Sequence, residues 1–152
     1  MNNDFEILHL KCQKIRSANQ ILLDGFETWL LESGLTSKTT RKHRENIDFY
    51  INEFLLYSDA IPPEEGMTSG DISLFMGYWF IKKALWASKT SLKSNAASLR
   101  KFGKFLCERG LISKDDLDSI HQTLKEEMPE WQATLARYDD PNIIDSEEIW
   151  GY

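Results

Sequence analysis

The stretch Leu35-Thr-Ser-Lys-Thr-Thr-Arg-Lys-His-Arg-Glu-Asn-Ile-Asp-Phe-Tyr-Ile-Asn-Glu-Phe-Leu-Leu-Tyr57 decides how the chain is read. Its apolar residues Ile47, Tyr50, Ile51 and Phe54 recur at spacings of three and four, so it reads as one long amphipathic helix. Lys38, Arg41, Lys42 and Arg44, with His43, crowd its first turns. A helix start carries about half a positive charge, and each cation placed there costs ~0.3–1 kcal/mol. The arrangement needs a compensating anion or another use for the charges.

The same apolar spacing recurs along the chain and no segment alternates with period two over strand length, which predicts an all-α fold. At 152 residues, 41% apolar and 12% aromatic, the chain has the length of one domain and material for a packed core. Its longest uncharged apolar run, "ISLFMGYWFI", is too short to span a bilayer, and charges interrupt residues 1–20, so neither a membrane span nor a signal peptide is expected. The expected address is cytoplasmic. Cys12 and Cys107 are too few for a disulfide framework and read as small reduced thiols on apolar faces.

Helix stops follow from glycines. "FETWLLESGLTSK" (residues 26–38) and "FGKFLCERGLISK" (residues 102–114) share F-x-x-aromatic-L-x-E-x-G-L-x-S-K, a common solution to stopping one helix and starting the next. The first helix begins near Asn3 or Gln20. "YSDAIPPEEGM" reads as a loop, Thr68 with Asp71 as the start of a helix over "GDISLFMGYWFIKKALW" (residues 70–86), and Ser88 as the start of another. Ser113 opens an acid-rich helix to about Glu127, and Pro129 fits the first turn of one more helix reaching Tyr138. Four segments result: an N-terminal helical extension (1–19), a helical domain (20–112), acidic C-terminal helices (113–138) and a mobile acidic tail (139–152). Ile143, Ile144 and Trp150 of the tail could dock on a partner or on the chain itself.

The net charge of −6 is unevenly placed. Residues 1–109 carry 15 Lys and Arg against 13 Asp and Glu, whereas residues 110–152 carry 3 against 11. Between 82 and 109 stand eight bases and one acid, Glu108, a local basic surface in an acidic chain. Wound at ~100° per residue, Lys89, Lys93, Arg100 and Lys104 fall within about 60° of one another beside a buried face of Leu92, Ala96, Leu99, Gly103 and Leu106. Lys38, Arg41 and Lys42 project opposite the apolar face of their own helix. Cations at a helix start become useful when a phosphate sits there, held by free N–H groups, hydroxyls of Thr36, Ser37 and Thr39, and the side-chain charges. The plainer alternative for each basic helix is a solvated face.

Little else carries chemistry. Three histidines, two cysteines and no Gly-rich phosphate loop or nucleophile elbow argue against an enzyme. His9 and Cys12 are i, i+3 but lack evident third and fourth metal ligands, and no cofactor is expected. Asp115, Asp116 and Asp118 are dipole-favoured first-turn acids. The aromatic set Phe75, Tyr78, Trp79, Phe80 and Trp86 reads as core rather than as a base-stacking platform.

Over residues 20–112, "FETWLLESGLTSKTTRKHRENIDFYINEFL" and "ASKTSLKSNAASLRKFGKFLCERGLIS" resemble the N-terminal core-binding domain of tyrosine recombinases and phage integrases. The resemblance implies a SAM-like orthogonal bundle of four or five helices that clamps one face of double-stranded DNA. Carried over residue by residue, the implied DNA-contacting positions are Lys38, Thr39, Arg41 and Lys42 on the second helix and Lys89, Thr90, Lys93 and Arg100 on the fourth; Lys104 joins the expected DNA-binding set from the ridge of cations read on the helical wheel. The family's catalytic domain has no counterpart, since neither His9, His43 nor His121 has an arginine three residues on. The expectation is therefore non-catalytic, weak or nonspecific DNA binding. Its rival is a protein-interaction module on the same fold.

Overall fold

The structure, a computed structural model, describes residues 2–84 and 86–140. The described residues form helices and connecting turns with no strand. In chain order they are α1 (Asn2–Glu32), α2 (Ser37–Asp48) continued by a π-helical segment π1 (Phe49–Phe54), α3 (Pro63–Gly66), α4 (Asp71–Leu74), a second π-helical segment π2 (Phe75–Trp79), α5 (Phe80–Lys83), α6 (Lys89–Glu108) and α7 (Lys114–Asp139). The all-α expectation holds. Helix α1 runs without a break across residue 20, where an extension was expected to meet the domain.

The two Gly-Leu stops are built alike. Gly34 and Gly110 adopt positive φ of 94° and 74°, which costs glycine nothing. Leu35 N–H then donates to the Leu30 carbonyl at 3.3 Å, and Leu111 N–H to the Leu106 carbonyl at 2.9 Å, closing both helices with the same six-residue bond. The stops sit side by side, because Trp29 Nε1 donates to Glu108 at 2.5 Å and the Trp29 and Phe105 rings lie 5.7 Å apart. Beneath them, Phe26, Phe102 and Phe105 are fully buried.

Two of the expected starts are present. Ser88 accepts from Ser91 N–H at 3.1 Å while Ser91 Oγ accepts from Ser88 N–H at 2.7 Å. Ser113 and Asp116 make the same reciprocal pair at 3.0 Å each way. The start expected at Thr68 is corrected. Gly70, at φ 87°, precedes α4, and the Thr68 hydroxyl donates backward to the Glu64 carbonyl at 2.9 Å, closing α3 instead. A hydroxyl next to an unclosed carbonyl turn has two competing uses, and here the backward one wins.

The segment 35–57 is not a uniform α-helix. At π1 the Leu55 N–H reaches back to the Tyr50 carbonyl at 3.0 Å, five residues away. The second widened segment, π2, faces it. Tyr50 packs on Phe75 with centroids 4.9 Å apart, Phe54 on Trp79 at 5.3 Å and Phe49 on Trp79 at 5.4 Å. Tyr50 is fully buried and donates its hydroxyl to the Gly66 carbonyl at 2.5 Å. A Cβ at Gly66 would overlap a Leu55 methyl, so α3 packs on this cluster through a bare backbone. The aromatic set is core at Phe75 and Phe80, but Trp86 stays 57% exposed.

The acidic C-terminal helices expected either side of Pro129 are one helix, α7. Ile120, Leu124, Trp131 and Leu135 are buried, with Met128 packed against the core between them, so the apolar stripe crosses Pro129 unbroken. A proline inside a helix costs about 3 kcal/mol, and burying Trp131 and Leu135 beyond it contributes ~1.5–3 kcal/mol each, enough to hold the turn closed. Trp131 lies against Gly77, where a Cβ would come within 2.9 Å of its ring. The tail beyond Asp140, with Ile143, Ile144 and Trp150, lies outside the described residues. Pro129→Ala restores a backbone donor in a helix that already runs straight through, and it should raise the urea midpoint by the equivalent of about 1–2 kcal/mol. A lower midpoint would mean that the proline relieves strain in α7.

Candidate nucleic-acid interface

Thr36 caps α2 by accepting from Thr39 N–H at 3.2 Å, leaving Ser37 and Lys38 at the open first turn. The five cationic or titratable side chains of that turn then divide. Arg44 turns inward and bridges Asp24 at 2.8 Å and Glu27 at 2.7 Å on α1. His43 is buried between α2 and α6. Lys38, Arg41 and Lys42 are exposed, as is Thr39, and none of the three cations has an ion-pair partner among the described residues.

Helix α6 supplies the second set. Lys89, Thr90, Lys93, Arg100 and Lys104 are exposed, whereas Leu92, Ala96, Leu99, Gly103 and Leu106 are buried as their spacing predicts. The four cations of this ridge also lack ion-pair partners among the described residues. Lys101, which the ridge leaves aside, is half-buried on the α2 side of α6 and close enough to His43 for its charge to be felt there. Sequence spacing alone misses Lys101, because its partner is 58 positions away on another helix.

A buried polar seam fixes how the two helices meet. His43 Nδ1 lies 2.8 Å from Ser98 Oγ, and Asn46 Nδ2 donates to Ser98 Oγ at 2.9 Å and to Ser94 Oγ at 3.0 Å. Ser98 Oγ spends its own proton on the Ser94 carbonyl at 3.0 Å. That leaves only acceptor lone pairs for its two neighbours, so His43 carries its proton on Nδ1. Contacts that advance along α2 while retreating along α6 make the pair antiparallel. Lys38 is therefore level with the end of α6, and the two basic starts stand roughly 20 Å apart along the pair at 1.5 Å per residue. The starts do not converge on one phosphate; α2's start lies beside Lys104 and α6's start near the aromatic cluster.

Beside the pair, Lys42, Glu45, Asn46, Phe49, Phe80, Trp86 and Asn95 line an open groove. Glu45 is the acid on this flank, and Trp86 presents its ring over Phe49 at 5.3 Å. Among the described residues no group of three or more His, Cys, Asp or Glu side chains is placed to hold a metal, and no helix is long and apolar enough to cross a membrane. Cys12 and Cys107 are both half-buried free thiols. No protein-family model, curated protein or solved structure matches the chain.

Burial first, and the Lys101 charge second, lower the His43 pKa below its ordinary 6.5. The unfolded chain therefore takes up this proton before the native one does, and stability that is complete above pH ~6.5 drains away as pH falls through that value. The urea midpoint should fall between pH 7.5 and 5.5, and His43→Gln should flatten that part of the profile. An unchanged slope in the variant would assign the acid sensitivity to other groups.

Proposed function

We propose that the α2–α6 face binds the sugar-phosphate backbone of double-stranded DNA, weakly and with little sequence preference, on a non-catalytic domain like the core-binding, SAM-like domain of the integrases. The observation that carries the reading is the set of seven exposed cations, Lys38, Arg41, Lys42, Lys89, Lys93, Arg100 and Lys104, disposed along two packed helices without ion-pair partners among the described residues. Glu45 and Glu108 stand on the same two helices, yet none of the seven cations forms an ion pair with either among the described residues. Two starts roughly 20 Å apart match about six base-pair rises of 3.4 Å, so the helices would touch separate phosphates rather than share one. Each start keeps N–H groups that its cap does not use, which a phosphate oxygen can accept from. Nothing on this face is arranged to read base edges.

A second reading, a protein-interaction module on the same fold, draws on a different surface: Phe5, Ile7 and Leu10 of α1 are 75%, 50% and 55% exposed.

Fluorescence anisotropy of a labelled duplex, titrated with the full chain at several salt concentrations, tests the DNA reading. The logarithm of affinity should fall linearly with the logarithm of salt concentration. Lys93→Glu with Arg41→Glu should weaken every duplex by a similar factor and reduce the salt slope by about two. Absence of binding at low salt, or a loss confined to one sequence, would overturn it.

A further inference from the structure

The N-terminal third of α1 has a composition at odds with its surroundings. Every residue from Asn3 to Lys11 is exposed except Leu8, which is half-buried, although five of the nine carry apolar or aromatic rings and chains: Phe5, Ile7, Leu8, His9 and Leu10. Residues 3–11 amount to about 14 Å of helix at 1.5 Å per residue. Such a short, water-exposed length is marginal by itself. Further along, α1 is tied down: Arg16 Nη2 donates to the Asn52 carbonyl at 3.3 Å and Asn19 Nδ2 to Asn52 Oδ1 at 2.8 Å. Between the free and the anchored part lies an open groove lined by Phe5, Leu8, His9, Cys12, Arg16 and Leu56. Phe5 stands at one rim as a projecting ring, and Leu8, Cys12 and Leu56 supply apolar lining.

We infer that this groove takes the first turns of α1 from a second copy of the chain, in an antiparallel pair related by a two-fold axis. Three features select that occupant. Phe5, Leu8 and Cys12 repeat at spacings of three and four, the seam spacing of a helix that packs on another helix. Each copy owns both the projecting Phe5 and the groove that receives one, which is the self-complementarity a two-fold interface requires. The charges are bipolar: Asp4 and Glu6 stand before the middle of the segment, Lys11 and Lys14 after it.

An antiparallel partner of the same sequence can bring Asp4 of one copy beside Lys11 of the other, whereas a parallel one stacks Asp4 on Asp4 and Lys11 on Lys11. With Phe5 of one copy level with Leu8 of the other, Asp4 and Lys11 of opposite copies flank the seam on the same side, twice by symmetry. The contact covers only about three turns on each helix, so it belongs to the weak class of interfaces, below the area of a stable dimer. It uses none of the cations proposed to hold phosphates, and it stands or falls separately from that reading.

Sedimentation equilibrium of the full chain over roughly 5–500 µM tests it, a range that brackets the affinity expected of such a contact. The weight-average mass should rise toward that of a dimer with increasing concentration. Phe5→Asp should abolish the rise, and circular dichroism should show its fold unchanged because the ring is 75% exposed. Asp4→Lys alone should weaken association about fivefold, and Asp4→Lys with Lys11→Asp should recover most of that loss, since the exchanged charges pair again across the two-fold axis. A monomer at every concentration would overturn the inference. So would a dimer indifferent to Phe5→Asp, or one that the double exchange weakens as much as the single change.

Discussion

The bond set around Ser98 governs the arrangement of this molecule. One hydroxyl, buried completely, accepts from His43 and Asn46 and donates to its own helix. A buried polar atom left unpaired costs ~1–3 kcal/mol, so the seam closes in one register of α2 against α6 and resists others that apolar packing would tolerate. From that register follow the antiparallel sense of the pair, the separation of the two basic starts, and which cations are left facing water.

The seam also explains why α2 begins with charges that its dipole disfavours. Arg44 is drawn to the acids of α1 in a half-exposed ion pair and His43 is drawn to Ser98 in the interior, so two of the five members of the crowded turn have structural work. Lys38, Arg41 and Lys42 have none. The composition of the turn therefore mixes two causes, and only the three-dimensional neighbours separate them.

Legibility follows the range of the interaction. The all-α class, both Gly-Leu stops and the caps at Ser88 and Ser113 are readable because each depends on residues within one or two turns. The buried and exposed faces of α6 are readable for the same reason. Thr68 misleads because a hydroxyl can serve the helix behind it as well as the one ahead, and spacing does not say which carbonyls are open. Pro129 misleads because a local rule meets the tertiary burial of Trp131 and Leu135, and the burial outweighs it. Of the candidate site, the exposure of all nine named residues is visible in the helical wheel. The place of Lys101 and the distance between the two starts are not, since both depend on how α2 and α6 are paired.

The two π-helical segments carry a historical consequence. A turn closed by a five-residue bond holds one residue more than an α-turn, so each segment is equivalent to a single-residue insertion absorbed within a helix. Removing that residue from one helix would rotate everything after it by about 100° relative to the seam and face Phe54 or Trp79 toward different neighbours. Because π1 and π2 meet ring to ring through Tyr50, Phe54, Phe75 and Trp79, neither can revert without stranding the aromatic surface of the other. In a lineage of such proteins the two helices would be locked in length: substitutions of one ring for another would accumulate there, while gaps and insertions would be confined to the connections on either side of α3.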